Sequence, residues 1–495
     1  MSEQSAFERR CFEILPGLLM WATFIAGVVL SMIHPLWVIY FIILFDLYWL
    51  LRVSYFIIVV LFAWRNYARA LTTDWYARME RHKGWKEIYH LIFLPMVKED
   101  HEIVESTLQA LRDARFPKER MMVVLAGEER AGEHFQTVAA AMEKKYGTSF
   151  FRFFSTTHPD TIPGEMKTKG ANLNYSGHTI LNDINALGIP YEHIIVSAFD
   201  VDTIAHPDYF ACLTDAYLSN PKPTRSSYQP VVLYNNNIWH APSPTRLAAF
   251  STTFWLMTEL ARPDRLFTFA SHSMSFQALV DVDFWQKDMV NEDSRIFLQC
   301  FMKYHGDYTV VPLYVPLSMD TVSAPTLWRS LWNLYKQQRR WAYGVEHFPY
   351  LMKHFLRDSL IPLRKKMRIL WNQLEGMYTW ATAPILILVL GRLPLLFASG
   401  DVQSLVIVQS APRILEILLN LSMLGIFVIG FLSFFLLPPQ PRLHPTHRRL
   451  TMVLQWLLLP ITIILFSALP AIEAQTRLMI GRYLGFAVTD KHRSN

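Results

Sequence analysis

The sequence predicts an α/β domain carried between two sets of membrane-crossing helices. Three observations predict it. Apolar blocks long enough to cross a bilayer stand near both ends of the chain. The stretch between them alternates short apolar runs with segments of helical periodicity. Acidic residues follow one of those runs where a parallel sheet presents its ligands, at the carboxyl end of a strand. Of the 495 residues, 52% are hydrophobic and 18% charged, against about 25% charged in an average soluble domain. The deficit is local: the middle, roughly residues 85–345, reads as an ordinary soluble domain long enough for one good core.

The N-terminal block comes first. Residues 17–45, from Gly17 to Phe45, contain no Asp, Glu, Lys or Arg. His34-Pro35 inside it marks a turn, giving expected spans at about 15–33 and 36–63. Asp46 and Arg52 fall in the second, so that helix is either long and tilted or leaves the bilayer halfway. The run is too long for a cleavable signal and continues directly into a second one. Three further blocks are expected at about 374–398, 412–438 and 451–470, with Pro438, Pro439 and Pro441 ending the middle one.

Basic residues flank these blocks: Arg65, Arg69, Arg78, Arg81 and Lys83 after the first, Arg357, Arg364, Lys365, Lys366 and Arg368 before the next. With a formal charge of +6, this distribution reads as a cytoplasmic surface near lipid. It forms no separate patch for nucleic acid. The loop Arg442–Arg449, with His444, His447 and Arg448, falls on the same side. Parity then sends the tail to the opposite side, whereas Arg477, Arg482, Lys491 and Arg493 favour the domain side. Either one span is misassigned or a segment is re-entrant, and Pro460 and Pro470 bracket the place for it. The expected layout is residues 1–65 as N-terminal membrane helices, 66–345 as the soluble domain, 346–370 as an amphipathic interface helix, 371–470 as C-terminal membrane helices and 471–495 as a tail. Cys11, Cys212 and Cys300 are too few and too far apart for a disulfide framework or a zinc site.

Within the domain, Leu91–Pro95 reads as a buried strand, followed by a helix with Ile103, Val104, Leu108 and Leu111 inward. Met121–Leu125 is a second strand, 133–145 a helix leading to Phe150–Phe154, and Ile194–Phe199 another strand. Alternation of this kind implies a parallel sheet. Asp200 and Asp202 sit at the end of that last strand, where hard carboxylate oxygens suit Mg2+ or Mn2+ bridging to phosphates. Two surface acids flanking a turn is the plainer reading of the same pair. Glu292-Asp293 follows 91 residues later (293 − 202), before Ile296-Phe297-Leu298. Asp293 there suits a general base, while an acid opening a helix is often an N-cap. Gln337-x-x-Arg340-Trp341 begins 44 residues further on (337 − 293). Its Arg can clamp a phosphate and its Trp offers a flat face to a sugar ring. A basic helical face near lipid is the alternative.

In this order the motifs resemble those of family 2 glycosyltransferases, in particular the membrane-embedded polysaccharide synthases such as cellulose, chitin and hyaluronan synthases. The D-x-D, E-D and Q-x-x-R-W elements of that family match Asp200/Asp202, Glu292/Asp293 and Gln337/Arg340/Trp341. Upstream, Pro95 to Glu99 resembles its P-x-Y-N-E element, and Lys167 to Asn174 its K-x-x-A-L-N stretch; Val488 to Lys491 resembles its closing signature. The likeness runs over essentially the whole length. Val97 and Lys98 replace the Tyr and Asn of the first element. Glu128 stands in place of the Asp that contacts uracil after the second strand.

The resemblance implies a GT-A domain and inverting transfer, by single displacement, from an α-linked nucleotide-diphosphate sugar to a β-linked product. It assigns Asp293 as base beside Glu292, Asp202 as main metal ligand, and Asp200 to metal or ribose. Lys169 and Arg340 go to the diphosphate, Glu99 and Glu128 to the donor, Gln337 and Trp341 to the acceptor. The expected cofactor is Mg2+ or Mn2+. The expected partners are a UDP-sugar rather than a GDP-sugar, a glycan acceptor and membrane lipid. The catalytic domain is expected in the cytoplasm, at an inner or plasma membrane. An enzyme adding one sugar to a lipid shares nearly all these motifs. A transporter with an inert cytosolic domain would leave them unexplained.

Overall fold

The structure, a computed structural model, describes residues 3–439 and 447–485. Most of the loop Arg442–Arg449 and the signature Val488–Lys491, with Lys491 and Arg493, lie outside the described residues.

The domain is built on an eight-stranded sheet: β1 Tyr89–Pro95, β2 Met121–Glu128, β3 Arg152–His158, β4 Ile194–Ala198, β5 Ile204–Ala205, β6 Ser226–Leu233, β7 His272–Ser275 and β8 Thr309–Ser318. The spatial order is β3-β2-β1-β4-β7-β6-β8-β5. The central strands are apolar without alternation because helices cover both faces; every residue of β2 and β4 is buried. β3-β2-β1-β4 and β6-β8 pair in parallel, as the alternation of runs predicts. The sheet as a whole is mixed, however. β7 runs antiparallel between β4 and β6, and the two-residue β5 runs antiparallel on β8. β7 escaped the periodicity reading because His272-Ser273-Met274-Ser275 is short and polar, yet fully buried. This is a Rossmann-like GT-A domain with apolar helices at both ends of the chain.

Among the described residues, four helices are long and apolar enough to cross a membrane: Phe7–Ile33, Pro35–Thr72, Val406–Phe435 and Leu450–Met479. A bent pair, Leu363–Leu388 with Leu390–Phe397 at 47°, makes a fifth if counted as one span. His34 separates the first two, as the His-Pro dipeptide predicts, with Pro35 at the first helical position, where its missing N–H costs nothing. Pro35–Thr72 has 38 residues, about 57 Å at about 1.5 Å per residue, against about 30 Å of hydrocarbon. Its surplus length packs on the domain: Val60, Ala63 and Tyr67 join the same core as β1 and β4. Arg52 is satisfied by an ion pair with Glu375. Residues 346–370 do not form one helix. His347–Phe355 ends, and Pro362 caps a new helix, Leu363–Leu388, that runs on into the membrane region.

Candidate functional site

The site lies at the carboxyl ends of β4, β6 and β8. β4 ends at Ala198, and the chain turns so that Asp200 and Asp202 project between β4 and β5. Three neighbours hold this turn. Thr107 Oγ1 donates to the Val201 carbonyl (2.6 Å), Asn236 Nδ2 to the Asp202 carbonyl (3.0 Å), and the Asp200 amide donates to Ser271 Oγ (3.2 Å). Ser271 has φ 59°, a left-handed conformation that a non-glycine residue keeps only when its surroundings enforce it. It is fully buried and also bonded to Thr203 (3.0 Å). The nearly buried Asp202 carboxylate accepts from the Asp320 amide just past β8 (2.9 Å).

Lys169 is the first residue of the helix Lys169–Ala186, whose N-cap Thr168 accepts from the Ala171 amide (3.2 Å). Its ammonium donates to Asp200 Oδ1 (2.7 Å) and Asp293 Oδ1 (2.9 Å) and lies 3.4 Å from Glu292 Oε1. Burial would lower this lysine, but attraction to Asp200, Asp293 and Glu292 holds it well above its usual range. The approach depends on Gly170. A Cβ there would meet the Gln286 carbonyl at 2.6 Å and Glu292 Cβ at 2.9 Å. Gly177 on the same helix seats the Phe284 ring, where a Cβ would lie 2.4 Å from it.

Glu292 and Asp293 open the helix Glu292–Lys303. Burial, then the neighbouring Asp293, push the Glu292 carboxyl up to about 7, against the pull of Lys169 and Arg340. Thr268 Oγ1 donates to the Asp293 carbonyl (2.6 Å) and fixes the turn. Asn291 Nδ2 donates to the Arg340 carbonyl (3.0 Å), tying this helix to Leu327–Ala342, which carries Gln337, Arg340 and Trp341. The following helix, His347–Phe355, is also bound to Glu292–Lys303: Arg295 Nε donates to His347 Nδ1 (3.2 Å), so its Nε2 carries the proton donated to Ser294 Oγ (2.7 Å).

Gln337 and Trp341 line a small pocket with Tyr234, Thr252 and Thr321. The Tyr234 ring tilts on Trp341 at 6.1 Å. Burial and the negative field of Asp200, Asp293 and Asp202 push its phenol up, with Arg340 opposing. Tyr234 therefore lies between the carboxylates and the Gln337–Trp341 helix. It gave no sequence signal, nor did Ser271, Asp320 or His272, whose Nδ1 lies 3.9 Å from Asp293 Oδ1.

Two expected donor residues sit at neighbouring strand ends. Glu99 Oε2 accepts from the amides of Val97 (2.8 Å) and Lys98 (3.0 Å), closing the loop after β1. Glu128 ends β2, buried and paired with Arg130 (2.6 Å), and burial pushes its carboxyl up.

Among the described residues no group of three or more His, Cys, Asp or Glu side chains is arranged to hold a metal ion by itself. Asp200 and Asp202 nevertheless fit a hard divalent cation that completes its shell with substrate oxygens, since such ions keep few protein carboxylates and several other oxygen ligands.

The sequence profile of glycosyl transferase family group 2 matches residues 195–471. Among solved structures, the chain is similar to the mannosyltransferase PcManGT from Pyrobaculum calidifontis, in complex with GDP-Man and Mn2+. The TM-score is 0.42 at 14% identity, covering 78% of this chain and 96% of that one. It is also similar to S. aureus TarS 1-349 in complex with UDP-GlcNAc, with a TM-score of 0.38 at 12% identity, covering 82% and 97%. No curated protein matches.

Proposed function

The chain belongs to glycosyl transferase family group 2, matched over more than half of its 495 residues, and on that premise we propose a membrane-embedded, inverting, processive synthase of a β-linked glycan. It is a glycosyltransferase that uses a nucleotide sugar. The observation that carries the finer reading is the Lys169 ammonium, on which Asp200, Glu292 and Asp293 converge from two segments distant in sequence.

In this reading Asp293 takes the proton from the acceptor hydroxyl. The hydroxyl oxygen attacks the anomeric carbon of the donor, and the carbon–oxygen bond to phosphate breaks, its electrons leaving with the nucleoside diphosphate. Lys169 and Arg340 bind that diphosphate. Asp202 and Asp200 would hold Mg2+ or Mn2+, which supplies neutralisation of the charge developing on the leaving group. Glu99 and Glu128 border the donor nucleotide. Glu128, at the place of the uracil-contacting acid, supports UDP over GDP. Gln337 and Trp341, with Tyr234, form the acceptor pocket. Positive charge at Arg65, Arg69, Arg78 and Arg81 supports a cytoplasmic catalytic domain at an inner or plasma membrane.

Processivity has support in how the acceptor platform is mounted. Arg339 Nη1 and the Tyr335 hydroxyl donate to Glu473 (2.6 and 2.8 Å), so the helix bearing Trp341 is fixed to the apolar helix Leu450–Met479. A polymerase needs such a platform beside the membrane to hold the newest sugar. Purified protein in lipid vesicles, incubated with a panel of UDP- and GDP-sugars, tests both levels. Diphosphate release with long glycan at every enzyme-to-donor ratio is the expected outcome. A single sugar on extracted lipid, with nothing longer, rejects processivity in favour of a lipid transferase.

A further inference from the structure

We propose that the apolar helix Leu450–Met479 does not cross the bilayer. It lies across the membrane-facing side of the catalytic domain, with its outer face in the lipid of the leaflet next to that domain. The helix has 30 residues and is apolar enough to cross, so length and composition alone would make it a span.

Its contacts require otherwise, beginning with where it starts. The preceding helix, Val406–Phe435, returns to the domain: Asn235 Nδ2 donates to the Leu436 carbonyl (2.8 Å) and Trp239 Nε1 to the Pro438 carbonyl (3.2 Å). The first half of Leu450–Met479 then stays on the domain. Arg246 Nε donates to Gln455 Oε1 (2.7 Å), the Phe250 and Trp456 rings stack at 6.4 Å, and Met452 and Trp456 belong to the domain's main core.

The second half stays there too. Glu473 accepts from Arg339 (2.6 Å) and Tyr335 (2.8 Å), and Ala471, Ala474 and Leu478 pack with Val290, Ala342 and Tyr343 of the domain and with Met20, Phe24 and Ala381 of the flanking membrane helices, to which Ser467 and Gln475 are also bonded through Trp380 (2.8 Å) and the Met377 carbonyl (2.7 Å). At the end, Arg10, near the start of the first membrane helix, donates to the carbonyls of Leu478 (2.9 Å) and Met479.

Gln455 and Glu473 are 18 residues apart (473 − 455), about 27 Å along a helix at about 1.5 Å per residue. That is close to the full hydrocarbon thickness of about 30 Å. A helix standing along the membrane normal would hold one of Arg246 and Arg339, both arginines of the catalytic domain, near the far side of the bilayer. A helix lying along the domain keeps both at one level. The face turned away from the domain presents Leu454, Leu457, Leu458, Ile461 and Leu465, all exposed and at helical spacing. That face continues the lipid-facing surface of Val406–Phe435, since Gly430 of that helix packs against Trp456. Pro460, the π-turn Ile464–Ala468 and Pro470 loosen the backbone ladder, which lets the helix follow the domain's curvature. Arg477 and Arg482 then sit on the domain side, which removes the conflict between span parity and tail charge.

The test is sidedness and depth in the full chain. In a Cys11→Ser background, single variants Lys144→Cys (on the catalytic domain), Thr451→Cys and Gly485→Cys are treated with an impermeant maleimide on sealed vesicles of known orientation. All three should react from the same side. A bimane label on Ile461→Cys should be quenched more by lipid with a nitroxide near the headgroup than by lipid with one near the chain end. Gly485→Cys reacting only from the side opposite Lys144→Cys, or stronger quenching by the deep nitroxide, overturns the proposal. Each variant is first required to release nucleotide from donor at the level of its background. Leu450→Cys replaces Thr451→Cys if that variant fails this check.

Discussion

Glu292 offers a quantitative test of how the site is built. Its carboxyl is 1% exposed and raised from the ordinary 4.5 to about 7, by burial first and by Asp293 second. Held at about 7 where the unfolded chain has 4.5, this carboxyl costs about 3 kcal/mol to ionise in the folded state. The folded state holds this proton more tightly than the unfolded chain does. Below the unfolded value both states are protonated and nothing is lost. Between about 4.5 and 7 the unfolded chain ionises first and stability falls as pH rises. Above about 7 the full cost of about 3 kcal/mol is present.

Glu292→Gln removes the ionisation and keeps the shape. The expected net is a variant more stable than the parent by about 3 kcal/mol at pH 8, with the advantage vanishing toward pH 4.5. Thermal unfolding of detergent-solubilised protein, followed by tryptophan fluorescence at pH 5, 6, 7 and 8, reads the difference directly. A difference that stays constant over this range, or a Gln variant less stable at pH 8, would refute the electrostatic account of Glu292.

Asp293→Asn should lower transfer by about 10²–10⁴-fold, the usual cost of a lost general base, while nucleotide-sugar binding by calorimetry survives. Wild-type turnover in this variant would move the base elsewhere. Excess EDTA should abolish turnover and added Mg2+ or Mn2+ restore it, measured as nucleotide release; full activity under chelation rejects the metal role of Asp200 and Asp202. Trp341→Ala should raise KM for the acceptor far more than for the donor, by a factor equivalent to about 1–3 kcal/mol of ring stacking. An equal rise for both would place Trp341 outside the acceptor pocket.

Much of the sheet was legible because buried parallel strands are written as continuous apolar runs. Leu91–Pro95, Met121–Leu125 and Ile194–Phe199 each coincide with strand to within a few residues. β7 was not legible, since four polar-looking residues become strand only by pairing with β4 and β6. The His34 break was visible through its proline, and Asp46 and Arg52 marked the second helix as one that is either long and tilted or leaves the bilayer halfway, though not that its end packs on the domain through Val60, Ala63 and Tyr67. The membrane segment beyond residue 450 was ambiguous for a physical reason. Hydropathy records how apolar a helix is, not whether the arginines it meets lie at one level or at two.

The site divides the same way. Asp200, Asp202, Glu292 and Asp293 were found as acids at structured positions, but the common partner of Asp200, Glu292 and Asp293 was not evident from spacing, because Lys169 reaches them only through a helix start and a glycine contact. That geometry explains why the motifs are weak singly and specific as a set. Clustered carboxylates repel, and water is largely excluded from Glu292 and Asp202. Lys169, itself largely buried, offsets the repulsion by bonding Asp200 and Asp293 and lying beside Glu292. Removing any one of these acids changes the charge felt by the others. In the proposed reading, an incoming diphosphate adds negative charge to the same cluster and competes for the same ammonium. On that reading donor binding and the hydrogen bond held by the Asp293 carboxylate are coupled through Lys169, so that this lysine governs both the stability of the empty site and the freeing of the proposed base.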